Sequence, residues 1–111
     1  MHEFEPIRDW EAWALQTQAN AAQAYLRLVE LAERSDTGPV RRVARFLAST
    51  FNGERYPLDL FDLRALVVAL SDDALACIDA LRWGKADLDK LRPDGERRIA
   101  ELITRWGIDK P

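Results

Sequence analysis

The sequence contains very few of the side chains on which most enzymes and metal sites depend. Its 111 residues include one histidine, His2, and one cysteine, Cys77. A lone cysteine cannot form an internal disulfide, and zinc sites need several Cys and His ligands. No glycine-rich phosphate-binding loop occurs, and His2 lies where chain ends fray. We therefore expect no enzymatic activity, no metal and no cofactor, and we expect Cys77 to be a buried, unreactive thiol.

Long apolar runs and a large net charge are absent too. The longest apolar stretch, Ala65 to Leu70, is six residues long, whereas a membrane-spanning helix needs roughly 18. The N-terminal segment has neither signal-peptide nor transit-peptide character. The formal net charge of −3 gives no overall attraction to nucleic acid or anionic membranes. We therefore expect a cytoplasmic protein that does not bind membranes.

The residues that are present favour an α-helical globular domain. Hydrophobic residues make up 48% of the chain and charged residues 32%, which is the balance of a folded domain with one core. No second strand-like segment exists with which a strand could pair. We predict a single all-α domain over residues 1–111. In this prediction about five helices form one compact bundle, the N-terminal helix is long, and residues 1–7 form a flexible tail.

Helix boundaries are predicted from the apolar spacing and from capping residues. The first helix is predicted from about Arg8 to Arg34. Asp36 or Thr37 caps the second, which has Pro39 in its first turn and stops at Asn52-Gly53.

The remaining helices follow from the same signals. A third helix over residues 58–70 is apolar nearly all round, and we therefore predict that it is the central element. The fourth is predicted from Ser71, as its capping residue, to about Trp83. The fifth opens at Pro93-Asp94-Gly95-Glu96 and ends at Trp106-Gly107. Its apolar side chains are predicted to be buried, namely Ile99, Leu102, Ile103 and Trp106.

The first helix has a second apolar stripe beside its main one, formed by Leu15, Ala22, Leu26 and Val29. Such a helix is covered on two sides, by its own chain or by another. Trp10 and Trp13 stand at its start, where they either close the core or form an aromatic anchor for a partner. The predicted partner-binding residues are therefore Trp10, Trp13, Leu15, Leu26 and Val29. The partner is another protein, either a host protein or a second copy of the chain.

A basic helix face gives the alternative prediction. Arg41, Arg42 and Arg45 lie together on the second helix and could contact phosphate groups. The protein would then be a nucleic-acid-binding accessory or regulatory protein. The acidic overall balance favours instead a solvated face, or arginines that pair with acidic segments of the same chain.

Two pairs of aspartates are the remaining candidates for chemistry. Asp59 with Asp62, and Asp72 with Asp73, could bind Mg²⁺ or share a proton. Each pair also precedes a predicted helix, where carboxylates cap exposed N–H groups. We favour the capping role.

The central sequence resembles a known family. The stretch RRVARFLASTFNGERYPLDLFDLRAL (Arg41 to Leu66), followed by DDAL (Asp72 to Leu75) and PDGERRI (Pro93 to Ile99), is similar to short bacterial proteins of unknown function that are associated with plasmids and integrative elements. The resemblance covers about residues 40 to 100 and implies an accessory role on a mobile element, without a mechanism. We therefore predict a non-enzymatic protein–protein interaction module, an accessory or inhibitor protein for which an anti-defence role is one form.

Overall fold

The long first helix is the element on which the others pack. A computed structural model describes residues 7–83 and 87–109, with side chains from residue 10 onward. The helices are α1 (Ile7–Arg34), α2 (Gly38–Phe51), α3 (Phe61–Ala65), α4 (Val68–Leu81) and α5 (Gly95–Trp106), with a 3-10 turn at Leu88–Lys90. These described residues contain no strand, so the all-α prediction with five helices is confirmed. The tail predicted for residues 1–7 lies outside the described part except for Ile7, which begins α1.

The core forms where α1 meets α4, α2 and α5. Four alanines of α1 are fully or almost fully buried, and α4, which makes the most extensive contact with α1, contributes the buried Ala74 and Cys77. Larger side chains fill the space between α1, α2 and α5, namely Tyr25, Leu28, Val43, Phe46, Leu47, Ile99 and Leu102. No helix in the described part of the chain is long and apolar enough to cross a membrane.

The ends of α2 and α5 lie where the sequence signals place them. Pro39 occupies the first turn of α2, where its missing N–H costs no hydrogen bond, and Asn52 ends that helix. Gly107 ends α5 with a φ of +65°, in the left-handed region that glycine adopts at little cost. The N–H groups of Gly107 and Ile108 return to carbonyls of the last turn.

The prediction that residues 58–70 form a central helix is wrong. The segment instead contains the short helix Phe61–Ala65 and the first residues of α4, and the backbone between them is extended at Leu66 and Val67. The four largest exposed apolar side chains of this segment are Leu60, Phe61, Val67 and Val68, each at least 60% exposed. An apolar run without Gly or Pro gives no local signal for such a break. The central element is α1.

The predicted cap at Ser71 is also wrong, because α4 begins one turn earlier at Val68. The Ser71 hydroxyl donates a hydrogen bond back to the Val68 carbonyl within the first turn. Because α4 begins at this earlier residue, more of the helix lies along α1, and Leu70 packs at the edge of the core. Asp72 and Asp73 therefore lie inside the helix and not at its start.

The 3-10 turn is held directly against the start of α5. A Cβ atom added to Gly95 would lie 2.1 Å from the Asp89 carbonyl oxygen. No side chain fits in that space, so the turn and the helix approach through backbone alone. This contact brings Leu88, which is 1% exposed, into the core beside α5.

The core position of the α5 stripe leads to a stability prediction. Ile99, Leu102 and Ile103 are buried as predicted, whereas Trp106 is only half-buried and donates its indole N–H to the Ala32 carbonyl. Leu102→Ala should lower the free energy of unfolding by about 2–5 kcal/mol because it leaves a cavity. Thr104→Ala, an exposed position of the same helix, should change it by less than about 0.5 kcal/mol in the same urea titration. If Leu102→Ala and Thr104→Ala both changed the free energy of unfolding only slightly, the apolar side chains of α5 would lie outside the core.

Candidate functional site

One end of α1 extends past the helices that cover its other half. At 1.5 Å per residue its 28 residues span about 42 Å, whereas the 14 residues of α2 and the 12 of α5 span about 21 and 18 Å. Thr50, near the end of α2, meets α1 at Tyr25, where the two hydroxyl oxygens are 3.0 Å apart. Closer to the α1 start, the described contacts are with α4: the Cys77 Sγ lies 3.9 Å from the Ala21 carbonyl oxygen.

Three tryptophans gather at this end of the α1–α4 pair. The ring centroids of Trp10 and Trp13 are 5.4 Å apart with the planes at 75°, and those of Trp10 and Trp83 are 5.8 Å apart at 49°. Edge-to-face and tilted arrangements at these distances are favourable for aromatic rings. Trp10 and Trp13 nevertheless remain 46% and 49% exposed. The cluster thus presents about half of each of these two indoles to solvent.

Arg82 completes the aromatic surface. Its guanidinium carbon lies 5.6 Å from the ring centroid of Trp83, and its Nε donates to the Asp79 carboxylate at 2.6 Å. Trp10, Arg82 and Trp83 line an open pocket of about 340 Å³. The indole N–H of Trp83 is closed off from solvent and has no hydrogen-bond partner among the described residues. An aromatic floor with a cation at its edge suits a peptide segment with apolar and carbonyl or carboxylate groups.

The five predicted partner-binding residues do not form one surface. Successive residues of a helix are about 100° apart, so Trp13 and Leu15 point to nearly opposite sides of α1. Leu15 is 66% exposed and Leu26 is half-buried. Val29 is 3% exposed and belongs to the core. Of the two alternatives that the second stripe leaves open, cover by the same chain therefore holds at Val29, which is not available to a partner protein.

The three arginines of the predicted basic face contact other parts of the same chain. Arg41 donates from Nη1 to the Trp106 carbonyl at 2.5 Å, at the C-terminal end of α5. Arg42 and Arg45 lie 3.7 and 3.9 Å from the same carboxylate oxygen of Asp62. A cation at a helix C-terminus and two cations around one carboxylate are stabilising arrangements. These contacts give the three arginines a structural use without phosphate.

The aspartate pairs separate into different roles. The Asp59 carboxylate accepts the Phe61 N–H at 2.9 Å, which is the predicted capping role. Asp62 is instead 8% exposed beside its two arginines. Asp73 accepts two hydrogen bonds from Arg27, at 2.8 and 3.1 Å, and so joins α4 to α1. Within residues 7–83 and 87–109 no three His, Cys, Asp or Glu side chains converge as a metal site would require.

Cys77 is fully buried at the α1–α4 contact, as the sequence predicted. Burial raises the pKa of its thiol to about 12, and the nearby Asp73 carboxylate acts in the same direction. The reactive thiolate form is therefore disfavoured at neutral pH.

Two features of the surface chemistry were missed by sequence reasoning. Arg98 holds the Glu33 carboxylate with two hydrogen bonds of 2.6 and 2.9 Å, which keeps the pKa of Glu33 below its usual range. Arg105 donates to the carbonyls of Ala32, Glu33 and Ser35 at the end of α1. The sequence gives one hint, because acidic and basic segments alternate along the chain and these pairs join them.

Asp89 is a buried carboxylate that no sequence pattern marks. The residue is 6% exposed in the 3-10 turn. Burial raises the pKa of Asp89; its own backbone N–H opposes the shift, and the carboxylates of Asp87 and Glu96 add to it. The group therefore destabilises the fold when it is ionised.

Comparison with known proteins identifies one family. The model of a family of unknown function, DUF7673, matches residues 22–107. The matched range includes Arg82 and Trp83 and begins after Trp10, Trp13 and Leu15. No curated protein and no solved structure matches the chain.

The burial of Cys77 predicts a slow reaction with thiol reagents. An unfolded cysteine has a pKa of about 8.5, so at pH 8 the denatured chain carries far more thiolate than the folded one. The native protein should react with a soluble disulfide reagent at least ~100-fold more slowly than the protein in denaturant. Rates within a few-fold of each other would show that the thiol is exposed.

The burial of Asp89 predicts a pH-dependent stability difference. Because its folded pKa is raised, the ionised form costs stability once the pH exceeds the unfolded value of about 3.9. Asp89→Asn should therefore raise the free energy of unfolding at pH 7, and the gain should vanish near pH 3. Asp87→Asn, an exposed position next to the same turn, is the control and should show little gain. A loss of stability in Asp89→Asn at pH 7 would contradict the argument.

Proposed function

The chain belongs to the DUF7673 family, which has no assigned function, and we propose that it acts as a non-enzymatic protein–protein interaction module. One observation carries the proposal: Trp10 and Trp13 are half exposed in a three-tryptophan cluster at the free end of α1 and α4. Tryptophan and arginine are the residues on which binding energy concentrates in protein interfaces. The partner contacts this aromatic cluster, defined by Trp10, Trp13, Trp83 and Arg82.

The geometry of the cluster supports its use as a binding surface. The rings already pack against one another in the free protein, which lowers the side-chain entropy that is lost on binding. Arg82 is held by Asp79 and stands over Trp83, which places a charged group at the edge of an apolar surface. A segment with an apolar side chain and an acceptor group matches this surface.

The resemblance to bacterial proteins of plasmids and integrative elements supports a role on a mobile element. The protein would be an accessory or inhibitor protein of a mobile element, acting in the cytoplasm on a host protein. An anti-defence protein is one form of this role, since such inhibitors work by occupying a surface and need no catalytic residues.

Trp13→Ala tests the proposal. Truncation of an aromatic hot-spot residue costs about 2 kcal/mol or more in an interface, or roughly 30-fold in affinity. The wild-type protein should capture one defined bacterial protein in near-stoichiometric amount, and Trp13→Ala should bind the purified partner at least ~30-fold more weakly in calorimetry.

Phe61→Ala is the matched control, because Phe61 is a 60% exposed aromatic side chain outside α1 and α4. It should bind the partner as the wild type does. Equal binding by Trp13→Ala and the wild type would exclude the cluster as the contact surface. Failure to capture any defined protein would reject the interaction role.

A further inference from the structure

The polar groups of the aromatic cluster are hydrogen-bond donors. A tryptophan indole carries a single N–H donor, and an arginine guanidinium carries five N–H donors and no acceptor. Arg82 uses its Nε donor on the Asp79 carboxylate at 2.6 Å, and its side chain remains 73% exposed. Among the described residues the other guanidinium N–H groups of Arg82 have no partner. A ligand that matches this surface must therefore bring acceptors.

The charge on this surface favours a neutral acceptor. Arg82 and Asp79 form an ion pair, so a second carboxylate would meet a cation that is already neutralised. Glu11 is exposed, but successive helix residues are about 100° apart, which turns it about 100° from Trp10 and about 160° from Trp13. Charge complementarity therefore points to an uncharged ligand segment whose acceptors are backbone carbonyl groups.

The need for free carbonyl groups restricts the backbone conformation of that segment. A helix uses its carbonyls in internal hydrogen bonds. An extended strand is bound by pairing with the edge of a sheet, and the described part of this chain contains no strand. A polyproline II helix has no internal hydrogen bonds, so its carbonyls stay available. Proline also lacks a backbone N–H, and a proline-rich segment thus brings acceptors without donors that this surface would leave unpaired.

The shape of the cluster suits compact apolar rings. The planes of Trp10 and Trp13 are inclined by 75°, and those of Trp10 and Trp83 by 49°. Indoles at such angles form a ridged surface and not a flat one, and proline rings pack between the ridges of aromatic-lined grooves. Arg82 stands at the edge of this surface, beside Trp83.

From the donor groups, the near-neutral charge and the ridged aromatic surface, we infer that the aromatic cluster binds a proline-rich segment in the polyproline II conformation. This ligand class rests on the proposed function, because it names the chemistry of the partner segment at the same surface. Proline rings pack on Trp10 and Trp13, and a backbone carbonyl accepts a hydrogen bond from Arg82. Both sides are ordered before they meet, which reduces the entropy lost on binding.

A nuclear magnetic resonance titration with blocked decaproline tests the ligand class. The indole N–H signals of Trp10 and Trp13 should shift and reach saturation. That of Trp106 should not move, because this indole is bonded to the Ala32 carbonyl at 3.0 Å. A blocked decapeptide of leucine, serine and glycine should bind at least ~10-fold more weakly, since its flexible backbone must be ordered. The absence of a saturable shift, or equal binding of the two peptides, would overturn the inference.

Two arginine variants test the donor role in the same titration. Arg82→Leu removes the donors but keeps an apolar side chain, and it should weaken decaproline binding roughly 10-fold, as the loss of a hydrogen bond from a charged group does. Arg55→Leu is the matched control, because Arg55 stands over Tyr56 at 5.5 Å outside the cluster. It should bind decaproline as the wild type does. Equal effects of the two variants would show that Arg82 is not the donor.

A captured partner separates this ligand class from the proposed function. Replacing the prolines of its contacting segment by alanine should weaken binding at least ~10-fold, by loss of the rings and of the ordered backbone. A partner whose binding depends on Trp13 but not on any proline would overturn the ligand class and leave the interaction role intact. Failure to capture any protein rejects the interaction role and is measured independently of the peptide titration.

Discussion

The close contact of α1 with α4 is the interaction on which the rest of the structure depends. Small side chains meet there, with Ala21 and Ala24 on α1 and Ala74 and Cys77 on α4 all fully buried. Side chains of this size let two helix backbones approach nearly as far as van der Waals contact allows. The bidentate pair of Arg27 with Asp73 then holds the two helices along the exposed edge of the contact. Because these two helices stay paired past the end of the main core, α1 can be longer than α2 and α5 without losing a neighbour.

The charged residues explain how the remaining elements are joined to this pair. The segment to residue 36 is acidic and the last thirty residues are basic, and Glu33 with Arg98 connects them. The basic second helix and the acidic segment after it meet where Arg42 and Arg45 approach Asp62. Arginines also bind the carbonyl ends of two helices, since Arg105 contacts the end of α1 and Arg41 the end of α5. The Glu33–Arg98 pair and the approach of Arg42 and Arg45 to Asp62 thus join segments of opposite net charge.

The sequence predicts those parts of the fold that have a local signal. The ends of α2 and α5 are set by Pro39, Asn52 and Gly107, whose backbone preferences act within a few residues. The break between α3 and α4 has no such signal, because each side of Leu66 is apolar and compatible with helix; packing of α4 along α1 decides it. At the candidate site, the position of Trp10 and Trp13 at the helix start leaves open whether they close the core or stay exposed, because that depends on where the chain's other segments pack. The approach of Trp83 to Trp10, and the covering of Val29, depend on contacts between distant segments.

Both α2 and α5 begin with a glycine, and the two positions differ in the space that they leave for a side chain. Glycine in a helix costs roughly 1 kcal/mol relative to alanine, so such positions are usual targets for raising stability. At Gly38, the first residue of α2, an added Cβ would meet nothing within 4 Å. At Gly95, the first residue of α5, it would overlap the Asp89 carbonyl. The start of α5 must therefore keep glycine because of a neighbour six residues earlier in the chain, a constraint that is absent at Gly38.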